Sequence, residues 1–335
     1  MVLTTPLIER LAARGPVHVV ATPANAELLT NHPAVASVIV FDKRGVDRGI
    51  GGIRRVARAA KALHAQTAYL AQGSLRTAAI ARLAGIPERI GFTTSPGRVL
   101  YTRRVPFDAT LHHAQRLWQL ASPAGPAEAP PMVRPSLHPA LRDIAQVDAL
   151  LASYGVSADQ PLIAIAPGSV WATKRWPSYD ALATILLERT RATDSLVPPR
   201  LVVLGAASDA PLAEAIAASV AARGGAPVLN ATGRLSLLAS AALLSRARVL
   251  ITNDSAPLHL ASAMNTPTVA LFGPTVPAFG FGPLADTRVI AERPALACRP
   301  CGAHGPQQCP LGHWHCMREI GAEAVADVVM PLLRA

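Results

Sequence analysis

Short apolar runs alternate with stretches of helical spacing along almost the whole chain. The runs that predict strands are VHVVAT (17–22), SVIVF (37–41), TAYLAQ (67–72), LIAIA (162–166), RLVVLG (200–205), VLIT (249–252) and TVALFG (268–273). Strands that alternate with helices form mostly parallel sheets with helices on both faces. The pattern therefore predicts the α/β class.

A proline-rich segment separates the two series of strands. Residues 121–135 hold five prolines, which neither a helix nor a central strand tolerates, and we interpret them as an interdomain linker. The chain has 335 residues, enough for two α/β domains. We predict an N-terminal domain with its linker over 1–135 and a C-terminal domain over 136–320, which starts with a helix at about 141–153. Helical spacing predicts a closing helix over 321–335.

The pattern at the N-terminus begins with a helix instead of a strand. Pro6 suits a first helical turn, Ile8 and Leu11 share one face, and Gly15 ends the turn. Parallel sheets of this class begin with a strand, and the loop after each strand is where they bind ligands. We therefore expect the first strand of the N-terminal domain and its loop to be missing.

Composition narrows the classes of protein. Half of the residues are hydrophobic, yet Arg, Asp, Pro or Gly interrupts each apolar run before the roughly 18 residues that a membrane span needs. The N-terminus lacks the features of a signal peptide, so we expect a cytoplasmic protein with reduced cysteines. The net charge of +11 favours an anionic partner, namely nucleic acid, acidic lipid or a phosphorylated substrate. Charge alone does not choose among them.

The first candidate site follows a predicted buried strand. In LIAIAPGSVWATKRWP (162–177), that strand runs into a loop of small residues that ends with Lys174 and Arg175. Small residues allow close backbone approach to a ligand, and a lysine at the carboxyl end of a strand can meet a phosphate as a point charge. A polar loop with solvated basic side chains is the alternative. The position at the carboxyl edge of the sheet favours a ligand site.

The second candidate site is VLITNDSAPLHLASAMNTPTVALFGPT (249–275). Asp254 and Ser255 precede a predicted helix over 256–264, whose exposed N–H groups and positive dipole end suit a diphosphate. Asp254 has an alternative role as the cap of that helix. His259 lies within the helix and is as consistent with packed polar surface as with catalysis.

Together these segments resemble glycosyltransferase family 9, the lipopolysaccharide heptosyltransferases, and especially the heptosyltransferase II branch. The motifs that carry the resemblance are VLTTPLIERL (2–11), RLAGIPERIGF (82–92), PGSVWATKRWP (167–177) and TNDSAPLHLASAMNTPTVALFGPT (252–275). They span nearly the whole chain, and the last two are specific in this order and spacing. The resemblance implies a GT-B fold, with two facing Rossmann-like domains that bind the acceptor and the nucleotide sugar respectively.

The resemblance also implies a reaction and its participants. Heptose would pass with inversion from ADP-heptose to a heptose or Kdo hydroxyl of the lipopolysaccharide inner core, without a required metal or cofactor. By the family pattern, Lys174 and Asp254 are the catalytic candidates of this chain. The residues expected to bind the donor are Ser169, Thr173, Lys174, Arg175, Thr232, Asp254, Ser255, Ala256 and His259. The implied partners are ADP-heptose, a phosphorylated lipid A–core acceptor and the cytoplasmic face of the inner membrane.

Two departures from the family pattern stand out. Ser-Ala-Pro (255–257) replaces Thr-Gly-Leu or Ser-Gly-Leu, so Ala256 can still donate its N–H whereas Pro257 cannot. The family's candidate base is an aspartate that would lie upstream of Met1, and it is absent. Glu9 is no evident substitute because we expect it to face solvent. Two hypotheses follow: an enzyme whose true start lies upstream, which the intact later motifs favour, or a noncatalytic sugar-nucleotide-binding form.

A basic cluster marks the N-terminal domain. Its members are Arg44, Arg48, Arg54, Arg55, Arg58 and Lys61, with Arg76 further along the chain. The spacing of residues 54, 55, 58 and 61 places them broadly on one helical face. A solvated face is the default interpretation. The phosphorylated acceptor that the family implies makes acceptor or membrane contact an equal alternative, with Arg54, Arg55, Arg58 and Arg76 as the acceptor-binding candidates.

All four cysteines fall in CRPCGAHGPQQCPLGHWHC (298–316), as Cys298, Cys301, Cys309 and Cys316. Because a cytosolic location disfavours disulfides, they form a candidate structural zinc site, although their spacing is not that of a standard zinc finger. A metal-free segment is the other interpretation. A nucleic-acid-binding zinc protein is disfavoured, because only 4% of the residues are aromatic and no finger pattern is present.

Overall fold

The structure is a computed structural model. It describes residues 1–123, 130–157, 159–192 and 197–333. The chain divides into two compact units, residues 1–138 and 139–335, which are described separately below. Residues 124–129 of the predicted linker and residues 334–335 of the predicted closing helix lie outside the described residues.

The described part of the first unit has two parallel sheets. Its strands are β1 (His18–Ala21), β2 (Ser37–Val40), β3 (Thr67–Tyr69), β4 (Glu88–Phe92) and β5 (Arg103–Val105). β1 pairs with β2, whereas β4 lies between β3 and β5. The sequence pattern predicted β1 to β3 but missed β4 and β5. Both missed strands begin with charged residues, which interrupt the apolar run that predicts a buried strand.

Five helices belong to the described part of this unit. They are α1 (Thr5–Ala12), α2 (Pro23–Glu27), α3 (Gly49–Lys61), α4 (Leu75–Leu83) and α5 (His113–Gln119). The predicted opening helix is present, and Leu7 on α1 packs with Phe92 and Leu117. Arg10 and Arg14 donate to the carbonyls of Trp118 and Ala121 at 2.9 and 2.8 Å. These carbonyls lie at the end of α5, where helical carbonyls lack partners within the helix.

The second unit contains one six-stranded parallel sheet. Its strands are β6 (Leu162–Ala166), β7 (Arg200–Val203), β8 (Leu229–Asn230), β9 (Ala247–Asn253), β10 (Thr268–Phe272) and β11 (Arg288–Glu292). They lie in the order β11-β10-β9-β6-β7-β8. The chain builds outward from β6 to β8, then returns to β9 on the other side of β6. The direction of winding therefore reverses between β6 and β9, which opens a crevice at the carboxyl ends of these two strands.

Helices cover both faces of this sheet. They are α6 (Leu141–Ser153), α7 (Tyr179–Arg191), α8 (Ala210–Ala222), α9 (Leu237–Arg246), α10 (Ala256–Met264), α11 (His315–Arg318) and α12 (Ala322–Val329). On one face, Leu271 of β10 joins the large core that includes Leu182 of α7 and Val325 of α12. On the other, Ala270 and Phe272 pack with Leu258 of α10. Each large buried aliphatic side chain stabilises the fold by roughly 1.5–3 kcal/mol.

Within the described ranges, none of the helices combines the length and the apolar character that crossing a bilayer requires.

Candidate functional site

Asn253 joins the two loops that border the crevice of the second unit. It is the last residue of β9 and is fully buried. Its amide nitrogen Nδ2 donates to the carbonyl of Pro167 at 2.8 Å. Its Oδ1 accepts from the backbone N–H of Trp176 at 3.2 Å and from the Tyr179 hydroxyl at 3.1 Å. One side chain thus fixes the start and the end of the loop over 167–178, hereafter the Lys174 loop.

Lys174 and Asp254 form a nearly buried ion pair in this crevice. Lys174 Nζ lies 2.6 Å from Asp254 Oδ2, and their side chains are only 9% and 11% exposed. The Thr275 hydroxyl donates to the same oxygen at 2.7 Å. Residues from the loops after β6, β9 and β10 therefore meet at one point. The alternative role of Asp254 as the cap of α10 is wrong, because Ser255 occupies the N-cap position.

The first turn of α10 opens beside this ion pair. Ser255 makes no side-chain capping bond, Ala256 is exposed, and Pro257 has no N–H. The positive end of the helix dipole is thus not countered by a cap from Ser255, an arrangement that favours an anion. His259 lies further along the helix, half-buried, with its ring 6.4 Å from that of Phe281.

The other predicted donor residues do not all join this point. Arg175 is exposed and donates to the carbonyl of Ser169 at 2.9 Å, which braces the Lys174 loop from within. Thr173 is buried, and its hydroxyl donates to the carbonyl of Pro306. Thr232 donates to Asn230 Oδ1 at 2.6 Å, beyond the end of β8. Because β8 is the edge strand two places from β6, Thr232 lies away from the ion pair.

The cysteine-containing residues 298–316, hereafter the cysteine segment, pack against the Lys174 loop. Gln307 accepts from the Ala172 N–H and donates to the Val170 carbonyl, both at 3.0 Å. The rings of Trp171 and His304 are stacked with centroids 6.2 Å apart. The contact could not be predicted from the sequence, because Gln307 and the loop it contacts are 135 residues apart in the chain. The segment braces the loop that carries Lys174.

The four cysteines are free thiols in this structure. Burial raises the pKa of Cys316 to about 11, with the neighbouring Cys301 as a second cause. Cys298 Sγ lies 3.9 Å from His313 Nε2. The ligand atoms of one tetrahedral zinc ion lie closer together than 4.8 Å. Among the described residues, the three potential ligands that meet this limit lie in the first unit and not in the cysteine segment. The zinc site of the cysteine segment stays a prediction.

The predicted acceptor-binding arginines differ in their surroundings. Arg55 donates to the buried carboxylate of Asp47, and this hydrogen bond lowers the pKa of Asp47. Arg54, Arg58 and Arg76 are exposed. Arg76 also lines a cavity of about 250 Å³. The cavity lies at the carboxyl ends of β2 and β3, and Phe41, Lys43, Gln72, Ser74 and Thr77 complete its lining. No motif in the sequence marks Lys43 as a site residue.

The reversed parallel sheet, with a lysine and an aspartate at the reversal of strand order, is typical of doubly wound α/β proteins that bind a ligand at the carboxyl ends of their strands. The model of "Glycosyltransferase family 9 (heptosyltransferase)" matches residues 53–315. The chain therefore belongs to glycosyltransferase family 9.

Individual relatives agree with this assignment. The chain is 28% identical over 292 residues to lipopolysaccharide heptosyltransferase 2 of Salmonella typhimurium, an alignment that covers 83% of this chain and 81% of that protein. It also matches the structure of Escherichia coli ADP-heptose lipopolysaccharide heptosyltransferase II, with 24% identity, a TM-score of 0.78 and coverage of 99% and 95%. The E. coli heptosyltransferase WaaC with ADP matches with 18% identity, a TM-score of 0.69 and coverage of 99% and 95%. The fold is accordingly GT-B, as expected.

Proposed function

We propose that this chain is an inverting heptosyltransferase that transfers L-glycero-D-manno-heptose from ADP-heptose to the inner core of lipopolysaccharide. The observation that carries the proposal is the Lys174–Asp254 pair, which lies at the reversal of strand order beside the first turn of α10. A cation and a helix N-terminus together suit a diphosphate. The relatives named above support heptose as the sugar and ADP as the nucleotide.

Lys174 and α10 would act on the leaving group. As the bond between heptose and diphosphate breaks, negative charge grows on the phosphate oxygens, and a fixed ammonium and helix dipole stabilise that charge. In the described structure Asp254 holds the ammonium of Lys174. When Lys174 turns towards a phosphate, the Thr275 hydroxyl can still satisfy the Asp254 carboxylate. Asp254 thus serves as a positioning residue for Lys174. No metal or cofactor enters this step.

The acceptor side belongs to the first unit in this proposal. Arg54, Arg58 and Arg76 would contact the phosphorylated lipid A–core, and the same basic surface would touch anionic lipid at the cytoplasmic face of the inner membrane. The acceptor hydroxyl must also lose a proton. We assign that step to none of the described residues, because Glu9 is exposed on α1 and its carboxylate accepts a hydrogen bond from Ser136.

The test measures binding and turnover separately. Purified chain is given ADP-heptose and a phosphorylated core acceptor, ADP release is followed, and the product is analysed by mass spectrometry and for its anomeric configuration. Heptosylated product of inverted configuration, with release reduced about 10²–10³-fold in Lys174→Met, supports the proposal. The exposed Arg142 on α6 of the same unit offers a control, Arg142→Met, which should leave ADP release unchanged. ADP-heptose binding by calorimetry without ADP release would favour the noncatalytic alternative instead.

A further inference from the structure

Three potential metal ligands from separate segments meet in the first unit. Glu9 lies on α1, His32 follows α2, and His138 is the last residue of the unit. One ligand atom from each side chain lies within 4.8 Å of the other two. The group belongs to neither the crevice nor the cysteine segment, which are both in the second unit.

His32 is buried and His138 is half-buried, and a ring nitrogen of His138 lacks a hydrogen-bond partner among the described residues. The His32 side chain has no solvent exposure, and its Nε2 lies 3.7 Å from Glu9 Oε1 and 3.3 Å from the Ser136 hydroxyl. His138 Nε2 is sealed from solvent and has no hydrogen-bond partner in the part of the chain that the structure describes. Buried nitrogen atoms without partners are rare because their desolvation is uncompensated. A ligand that reaches this nitrogen would remove the cost.

We propose that Glu9, His32 and His138 form a binding site for a divalent transition-metal cation of the Zn²⁺ type. Two imidazoles and one carboxylate are a ligand set that such ions prefer. The His32 and His138 rings have centroids 4.8 Å apart and an interplanar angle of 79°. This separation fits two imidazoles at neighbouring positions of one ion, with metal–nitrogen bonds of about 2.0–2.1 Å. The Ser136 hydroxyl or a water would complete the coordination.

Access and protonation set the conditions for binding. The Glu9 side chain is 43% exposed, which gives an ion a path to the buried histidines. The Ala34 N–H approaches His32 Nδ1 at 3.3 Å, so in the metal-free protein the His32 proton belongs on Nε2. A cation at Nε2 requires the other neutral tautomer, in which the proton moves to Nδ1, and this change gives up that one long contact. Metal affinity should weaken as the pH falls, because a protonated imidazole or carboxyl group cannot bind the ion.

Bound metal would tie together three parts of the first unit that are distant in sequence. These parts are α1, the loop after α2 and the end of the unit, which the Ser136 N–H already links to Thr5 Oγ1 on α1 at 2.9 Å. Because the ion binds only the folded arrangement, it should raise the thermal unfolding midpoint of the chain.

The test uses Co²⁺ and Zn²⁺ on the metal-free full chain carrying Cys298→Ser and Cys301→Ser, which weaken any thiol site. We expect one Co²⁺ per chain without thiolate charge-transfer absorption, displacement by Zn²⁺, and a raised unfolding midpoint. Glu9→Gln and His138→Gln should each weaken Co²⁺ binding at least about tenfold. His64→Asn, which changes an exposed histidine of the same unit in a left-handed conformation that Asn tolerates, should leave binding unchanged.

Three results would overturn the proposal. They are unchanged Co²⁺ affinity in Glu9→Gln and His138→Gln, binding seen only in the chain with all four cysteines, and no binding up to about 1 mM metal. Because Glu9 is exposed, its isosteric variant keeps the test decisive even if His138→Gln folds poorly.

Discussion

The Lys174 ammonium and the Asp254 carboxylate are 2.6 Å apart, yet 80 residues separate them in the sequence. Water reaches only about a tenth of either side chain. Removal of one partner from such a pair leaves a charge without compensation, whereas removal of both is far less costly.

The first prediction is therefore a coupled loss of stability. Lys174→Met should lower the free energy of unfolding by about 3 kcal/mol. The double variant Lys174→Met/Asp254→Asn should lose less than the sum of the two single losses, since neither charge is then stranded. Urea unfolding of all four proteins measures the cycle. Additive losses would show that the pair is not coupled.

Asn253 gives a prediction about the shape of the Lys174 loop. Asn253→Ala leaves the Pro167 carbonyl, the Trp176 N–H and the Tyr179 hydroxyl without their partner, so we expect a stability loss of about 2–4 kcal/mol. The Michaelis constant for the nucleotide sugar should also rise.

A matched control is Thr266→Val, which removes one buried hydrogen bond to the Leu244 carbonyl, 2.8 Å long, before β10 begins. It should cost stability without changing the Michaelis constant. An unchanged Michaelis constant for the nucleotide sugar in Asn253→Ala would show that Asn253 does not position the Lys174 loop for donor binding.

The hydrogen bonds of Gln307 lead us to expect that the cysteine segment influences donor binding. Gln307→Ala removes two 3.0 Å hydrogen bonds to the Lys174 loop, at Ala172 and Val170. Because Gln307 is exposed, the free energy of unfolding should change by less than about 1 kcal/mol, while affinity for ADP measured by calorimetry should fall several-fold. Its exposed neighbour serves as the comparison, and Gln308→Ala should keep the original affinity. Equal ADP affinities in Gln307→Ala and Gln308→Ala would contradict a role of Gln307 in positioning the Lys174 loop.

Neighbouring arginines on α3 should behave differently. Arg54→Met removes an exposed charge and should raise the Michaelis constant for the core acceptor several-fold without changing the thermal midpoint. Arg55→Met strands the Asp47 carboxylate and should lower the midpoint instead. Steady-state kinetics and thermal melts of the two variants check the contrast. If Arg54→Met leaves acceptor kinetics intact, this face of α3 is only solvated surface.

The lowered pKa of His113 leads us to predict a loss of stability in acid. Burial, with Arg116 as the second cause, lowers the pKa of His113 from the ordinary 6.5 to about 4. Between these pH values His113 binds a proton in the unfolded chain but not in the folded chain. The contribution of the neutral His113 to the free energy of unfolding is therefore present above about pH 6.5 and is lost as the pH falls towards 4. The slope is at most about 1.4 kcal/mol per pH unit.

Urea unfolding at several pH values tests this effect in His113→Gln. The variant should have a shallower dependence on pH than the original chain. Part of the slope remains, because burial and then His138 lower the pKa of His32 as well. An identical slope in both proteins would contradict the role of His113.

Much of the second unit was predictable, because strands buried on both faces are nearly continuous apolar runs. LIAIA is β6 to the residue, and all five of its side chains are buried. β5 and β11 were missed because each is an edge strand that begins with arginine, RRV and RVIAE, and neither has the continuous apolar run of a central strand.

The candidate site was likewise predictable only in part. Lys174 and Asp254 were predicted as site residues because each follows the carboxyl end of a predicted strand. The partners of Asn253 depend on which strands are neighbours, and a run of apolar letters does not specify that β9 lies beside β6. Gln307 reaches its loop across 135 residues of sequence, so no local pattern could reveal it.

The reversal of strand order also has a consequence for how the site comes into being. The two halves of the crevice cannot meet by local folding, since the pairing of β6 with β9 must close a long intervening chain, which is slow and entropically costly. A nascent chain that has left the ribosome only through β8 already has Lys174 but no carboxylate to hold it. Lys174 and Asp254, which we propose to serve diphosphate binding, therefore come together only when the two central strands pair.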